Sequence, residues 1–195
     1  MKELLFLIPM KDPRRAKSRL SAVMPDGVRA RLAMALYRRM LGFLTVVKPD
    51  VDILVVSDSA ALAREVSDVF FIKQSDSGLN AAITEGAAWA KAQGYASICV
   101  LPADLADPAA TELERLLALE GRGVVLAPAH DGGTNALMVT PPDAISFCFG
   151  RGSCSAHQRA AQAAGMPCTI IPLESLKYDI DTSSDLARIR GVSWA

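Results

Sequence analysis

Leu4–Arg19 reads LLFLIPMKDPRRAKSR, an unbroken apolar run that passes at Met10 straight into a segment carrying five cations. An apolar run without polar alternation predicts, over Leu4–Pro9, a strand buried on both faces, as in a largely parallel sheet. Open α/β sheets bind phosphates in the turn that directly follows such a strand. A charge run is also what an ordinary solvated turn looks like, but this position favours an anion site, with Lys11 and Lys17 as candidates to neutralise triphosphate oxygens. The segment is neither GxGxxG nor a Walker loop, so dinucleotide and P-loop readings have no motif support.

Outward from that strand, the chain alternates. Leu32, Leu36, Met40, Phe43 and Val47 recur at helical spacing and predict a helix over Arg29–Val47. Strands follow at Val51–Ser57 and Phe70–Lys73, and an alanine-rich helix at Asn80–Gln93 stops before Gly94. Further strands are expected at Ser97–Leu101, Val124–Ala127, Ala136–Val139 and Cys168–Ile171, with helices at Ala109–Leu119, Ser153–Ala164 and Ser183–Arg190. Strand and helix in this order imply crossover connections and an α/β sandwich with ligands at the carboxyl ends of the strands. No linker, repeat or low-complexity tract divides residues 1–195, so one domain is expected.

Composition narrows the function classes. Basic and acidic residues balance at 21 each, so no global field draws in nucleic acid or an anionic membrane, and any anion site must be local. The four cysteines show no CxxC pair, which disfavours a zinc site or disulfide framework and fits a reducing cytoplasm. The first apolar run lacks the flanks of a signal peptide, and nothing approaches the ~18 apolar residues of a membrane span.

Carboxylates stand at two strand-like ends. Asp104 closes ICVLPAD behind Pro102, where a plain loop aspartate is the alternative. Asp179 and Asp181 in YDIDT lie two residues apart, on one face of an extended segment and ~7 Å apart at the backbone. Brought to ~4 Å, two such charges repel by about 4 kcal/mol at an effective dielectric near 20, which favours a divalent cation between them. Thr182 and Asp185 fit a capping box, so Asp185 reads as structural.

Two glycine-bearing turns complete the pattern. Ser77-Gly78-Leu79-Asn80 opens a helix whose free N–H groups suit a nucleobase or phosphate, although Asn80 capping that helix explains the residues equally well. Gly150-Arg151-Gly152-Ser153 opens another, a receptor for phosphate or carboxylate that Thr134 and Asn135 can close. Ser153 and His157 are four apart, yet no third orienting group and no GxSxG elbow support a nucleophile reading; His157 reads equally as a surface or capping histidine.

IPMKDPRRAKSRL, SGLNAAI, LPAD, DGGTNAL, FGRGSCSAH and DIDTSSDL, in this order over almost the whole chain, resemble the phospholactate and phosphoenolpyruvate guanylyltransferases of deazaflavin coenzyme biosynthesis. The resemblance implies a GT-A-like nucleotidyltransferase fold, a Rossmann-like three-layer sandwich with a mostly parallel sheet. It also implies GTP as donor, Mg2+ as cofactor, and a phosphorylated three-carbon acid as acceptor: phosphoenolpyruvate, 2-phospholactate or 3-phosphoglycerate. Carried over, Asp104, Asp179 and Asp181 would hold the metal. Thr134, Gly150 and Ser153 would hold the acceptor, while Lys11, Lys17, Gly78, Asn80 and Pro102 would meet the nucleotide, with Lys11, Lys17 and Asp104 catalytic. The glycine-rich first loop of wider nucleotidyltransferases is missing here. A GT-A-like sugar-nucleotide enzyme or glycosyltransferase, and a non-catalytic nucleotide-binding module, are the rival readings; a homodimer is left open.

Overall fold

β1 (Lys2–Pro9) lies inside a seven-stranded sheet, paired in parallel with β2 (Asp52–Ser57) on one side and β4 (Tyr95–Val100) on the other. In this computed structural model, which describes residues 2–65 and 68–189, Leu5 to Ile8 are wholly buried, as an apolar run without alternation requires. β3 (Phe70–Lys73) extends the sheet beyond β2, again in parallel. Beyond β4 come β6 (Thr134–Val139), β5 (Val124–Pro128) and β7 (Cys168–Ile170), giving the order β3-β2-β1-β4-β6-β5-β7. β6 runs antiparallel to both neighbours, while β5 and β7 pair in parallel, so the sheet is mixed but mostly parallel.

Helices cover both faces. On one, α1 (Asp26–Val47), α2 (Ala60–Glu65) and α4 (Ala110–Leu117) pack Tyr37, Met40, Leu62, Leu113 and Leu116 against Phe6, Ile8, Val55, Cys99 and Met138. On the other, α3 (Leu79–Ala92) and α5 (Ser153–Ala163) pack Ile83, Ala87 and Ala161 against Leu5, Leu7, Val56, Ile98 and Leu137. Alternate residues of β1 thus feed two cores, and the result is the expected three-layer α/β sandwich. α3 sits close on the sheet because Gly86 has no side chain; a Cβ there would overlap Leu7 and lie 3.1 Å from Val56 Cγ2.

Several boundaries differ from the sequence reading. α1 begins three residues earlier, at Asp26, because the first turn is polar and carries no periodic signal; Asp26 instead receives Arg29 Nη2 at 2.5 Å. The six-residue α2, AALARE, is too short to carry a helical repeat of apolar residues and was not expected. β4 starts at Tyr95 and β6 at Thr134, each two residues before the apolar run. The last expected helix is a 3-10 segment, Ser183–Arg188, and Arg190 lies outside the described residues.

Candidate active site

The loop after β1 is pinned before it reaches Lys17. Asp12 Oδ1 accepts the Arg14 N–H at 2.9 Å, starting a 3-10 turn at Pro13–Arg15, and buried Arg29 of α1 donates to the Ala16 carbonyl at 3.0 Å. Lys17 follows in the left-handed region, φ 56°. That turn sends its side chain inward, where only 5% stays exposed. Its ammonium donates to Asp104 Oδ2 and lies 3.4 Å from Asp181 Oδ1. Burial works against the charge of Lys17, but Asp104 and Asp181, with Asp179 behind them, outweigh it and hold the ammonium above the ordinary lysine range. Arg19 reaches Asp181 Oδ2 at 2.9 Å from an exposed position, where such a pair contributes little.

The backbone explains why residues so distant in sequence meet. Leu105 and Asp179 form an antiparallel bridge; Ile180 donates to the Asp104 carbonyl at 3.0 Å, and Ala106 to the Tyr178 carbonyl at 2.8 Å. The segment after β4 is therefore zipped to YDIDT. Asp185 fixes the far side, its Oδ2 accepting the N–H groups of Thr182 at 2.7 Å and Asp181 at 3.2 Å. Burial, then the charges of Asp104 and Asp181, push the Asp179 carboxyl up to about 6. Three carboxylates thus surround one buried ammonium, with the exposed Arg19 guanidinium on Oδ2 of Asp181.

Among the described residues, no group of three or more His, Cys, Asp or Glu is arranged to hold a metal ion by itself. The donor set nonetheless suits magnesium, which usually takes one or two carboxylates and completes its shell with waters and substrate phosphates. Asp104, Asp179 and Asp181 offer hard oxygens, and the raised Asp179 group is one that a cation would return to its charged form.

Across the cleft, two loops meet over β6. Gly132 (φ 83°) accepts the Cys154 N–H at 3.3 Å, and Gly150 (φ 135°) accepts the Ser153 N–H at 3.1 Å. Ser153 is buried at the start of α5 and donates to Thr134 Oγ1 at 3.0 Å. Lys11, Lys17, Pro102, Asp104, Thr134, Gly150, Ser153, Asp179 and Asp181 all line one cleft of about 780 Å3, within the range of small-molecule sites. Gly78 and Asn80 do not line it, although their helix contributes Leu79 and Ile83.

Two expectations need correction. Asn80 neither caps α3, whose N-cap is Gly78, nor faces the cleft; its amide is spent on the backbone of Phe149. His157 is not a surface or capping residue but wholly buried, between Thr134 Oγ1 and the Cys148 N–H. No sequence signal distinguishes a buried imidazole from an exposed one on a helix with an alanine-rich face. Arg39, which donates to the Leu105 carbonyl and at 2.8 Å to that of Ala106, was also missed, since it reads as one more charge on an amphipathic helix.

The family model described as "Guanylyl transferase CofC like" matches residues 4–190. The chain belongs to this family. It is 37% identical over 186 residues to a 3-phospho-D-glycerate guanylyltransferase of Colwellia psychrerythraea, covering 93% of this chain and 88% of the relative. A phosphoenolpyruvate guanylyltransferase of Rubrobacter xylanophilus is 35% identical, covering 94% and 91%. Among solved structures, a putative nucleotide-diphospho-sugar transferase from Desulfovibrio desulfuricans superposes with a TM-score of 0.79 at 21% identity, over 95% of this chain and 85% of that one. At that identity the likeness speaks for the fold alone. As a member of the guanylyltransferase family this chain is a nucleotidyltransferase enzyme.

Proposed function

We propose that this guanylyltransferase transfers GMP from GTP to a phosphorylated three-carbon acid in the cleft and releases pyrophosphate. The observation that carries the reading is the meeting, in one cleft, of the Lys17 carboxylate cluster with the Thr134–Gly150–Ser153 pocket. One side suits a polyphosphate and its cation, the other a small dianion.

An acceptor phosphate is already ionised near neutral pH, so its oxygen can attack the α-phosphorus of GTP without a general base. The new bond joins that oxygen to the α-phosphorus, the bond to the β-phosphate oxygen breaks, and pyrophosphate leaves. Lys11 and Lys17 offset charge on the triphosphate, and the Thr134 and Ser153 hydroxyls with the Gly150 backbone align the acid. Magnesium held by Asp104, Asp179 and Asp181 would neutralise phosphate charge and stabilise the departing pyrophosphate.

The named relatives divide between 3-phospho-D-glycerate and phosphoenolpyruvate, and their identities to this chain differ by too little to choose. Phosphoenolpyruvate leads on the motif resemblance, which also supports a role in deazaflavin coenzyme biosynthesis. Among the described residues no helix is long and apolar enough to cross a membrane; a cytoplasmic setting belongs to the same proposal. The test is pyrophosphate release from GTP and magnesium with phosphoenolpyruvate, 3-phosphoglycerate or 2-phospholactate in turn. Stimulation by one of these, much weaker with ATP or CTP, is expected; stimulation only by a sugar or sugar phosphate would replace this reading with the sugar-nucleotide one.

A further inference from the structure

The mechanism uses the hydroxyls of Thr134 and Ser153 but not the imidazole behind them. His157 sits one helical turn after Ser153 on α5 and is wholly buried, with Phe149 packed edge-on against its ring at a centroid distance of 4.6 Å. Its Nε2 lies 2.9 Å from the Cys148 backbone nitrogen, and its Nδ1 lies 3.1 Å from Thr134 Oγ1. A backbone N–H can only donate, so Nε2 must be a bare acceptor. In the neutral ring the proton then resides on Nδ1, which donates to Thr134. Burial favours that neutral ring, holding the imidazole down to about 4.

The consequence falls on the threonine. Its oxygen receives one hydrogen bond from His157 Nδ1 and a second from Ser153 Oγ at 3.0 Å. A hydroxyl oxygen has two acceptor positions and one proton. With both positions filled, the Thr134 proton is left to turn elsewhere, and Thr134 lines the cleft.

We propose that His157 is a positioning residue that makes the Thr134 hydroxyl an obligate donor toward an anionic oxygen of the acceptor. The inference rests on the reading that Thr134 holds the acceptor. A hydroxyl free to rotate would meet the anion as donor or as acceptor and would lose ordering entropy on binding; this one is set beforehand. Oxygen acceptors are thereby favoured over groups that present an N–H at the same point.

Two substitutions separate the two ends of the ring. In His157→Gln the side-chain carbonyl can reach the Nε2 position and keep the Cys148 N–H, but the donor to Thr134 is lost. In His157→Asn the amide N–H falls near the Nδ1 position and keeps that donor. Steady-state kinetics with GTP and whichever phospho-acid the enzyme turns over should show acceptor KM raised roughly tenfold by His157→Gln, the loss of about one oriented hydrogen bond. GTP KM should stay near wild type, and His157→Asn should restore most of the acceptor KM. Thr134→Val should raise the same KM, and adding His157→Gln to it should bring no further loss.

If Thr134→Val leaves acceptor KM unchanged, the acceptor site itself is misplaced. If Thr134→Val raises it while His157→Gln does not, or the two add fully, the acceptor site stands and the His157 role is overturned. A measurement on the unmutated enzyme guards against misfolded variants. The chain has only two histidines, so long-range nitrogen–proton NMR correlations can be assigned; a protonated Nδ1 and bare Nε2 on His157 at neutral pH are expected. A protonated Nε2 would overturn the proposal.

Discussion

The side-chain amide of Asn80 lies flat against the backbone of Phe149, its Oδ1 accepting the N–H at 2.7 Å and its Nδ2 donating to the carbonyl at 3.2 Å. The first turn of α3 thus clamps the loop that delivers Gly150, from 69 residues away in sequence. Asn80→Asp keeps the acceptor but sets a carboxylate oxygen against the Phe149 carbonyl. Each unsatisfied polar group costs about 1–3 kcal/mol, so Asn80→Asp should raise acceptor KM by about tenfold and lower the melting temperature by several degrees. GTP KM is the discriminating readout: a direct contact with the nucleotide, as the motif alone suggests, would move it instead of acceptor KM.

Arg39 should control the carboxylate side of the cleft in the same indirect way. Its guanidinium, anchored on α1, spans the Leu105 and Ala106 carbonyls just after Asp104. Lysine has no planar fork with which to hold two carbonyls. Arg39→Lys is expected to lower kcat by about tenfold with acceptor KM little changed, because the displaced group is Asp104 and not the acceptor pocket. A rise in acceptor KM alone would contradict this division of the cleft.

These two residues show where sequence reading stops. The buried strand Leu5–Ile8, the following cations and the paired Asp179 and Asp181 were legible because burial, charge and spacing leave marks in a single segment. So was the Thr182–Asp185 capping interaction, a local pattern by nature. The direction of β6 was not, since the apolar run Ala136–Val139 fits a parallel or an antiparallel neighbour equally. Asn80, His157 and Arg39 act on backbone groups 9 to 69 residues away, and nothing in their own segments records the partner. The bridge between Leu105 and Asp179 is likewise a tertiary fact, though both carboxylate motifs it joins had been picked out separately.

Lys17 is the buried cation among three carboxylates, so its removal should be felt in stability as well as turnover. With the 5% exposed lysine side chain gone, Asp104 and Asp181, 26% and 38% exposed, face each other and Asp179 with only the exposed Arg19 guanidinium on Asp181. Lys17→Met should destabilise the metal-free protein at neutral pH by about 2 kcal/mol, below the usual cost of breaking a fully buried pair because water reaches the carboxylates. The deficit should shrink as pH falls and the Asp179 carboxyl, raised to about 6, takes up its proton. Urea unfolding of both proteins at neutral and acidic pH, without added metal, gives the comparison; an equal deficit at both would mean that packing of the lysine stem, not charge, is what was lost.

Asp179 should behave in the reverse sense, as a group that costs stability to keep. Its carboxyl is raised to about 6, first by burial and then by Asp104 and Asp181, whereas an unfolded aspartate titrates near ~3.9. The folded protein therefore holds this proton more tightly than the unfolded chain does. The penalty for the charged form is fully present above pH ~6, declines as pH falls between those two values, and is gone below ~4. Asp179→Asn removes the charge and keeps the shape, so it should stabilise the metal-free enzyme by about 1–2 kcal/mol at pH 7 and by nearly nothing at pH 4. Magnesium with GTP should invert the ranking, because a cation favours the charged carboxylate and stabilises only the protein that binds it. Thermal melts of the two proteins at pH 7, with and without magnesium and GTP, read both effects. If Asp179→Asn melts lower than the parent without metal and gains as much from magnesium as the parent does, then Asp179 is neither strained by its neighbours nor a ligand, and the carboxylate cluster must bind its cation through Asp104 and Asp181 alone.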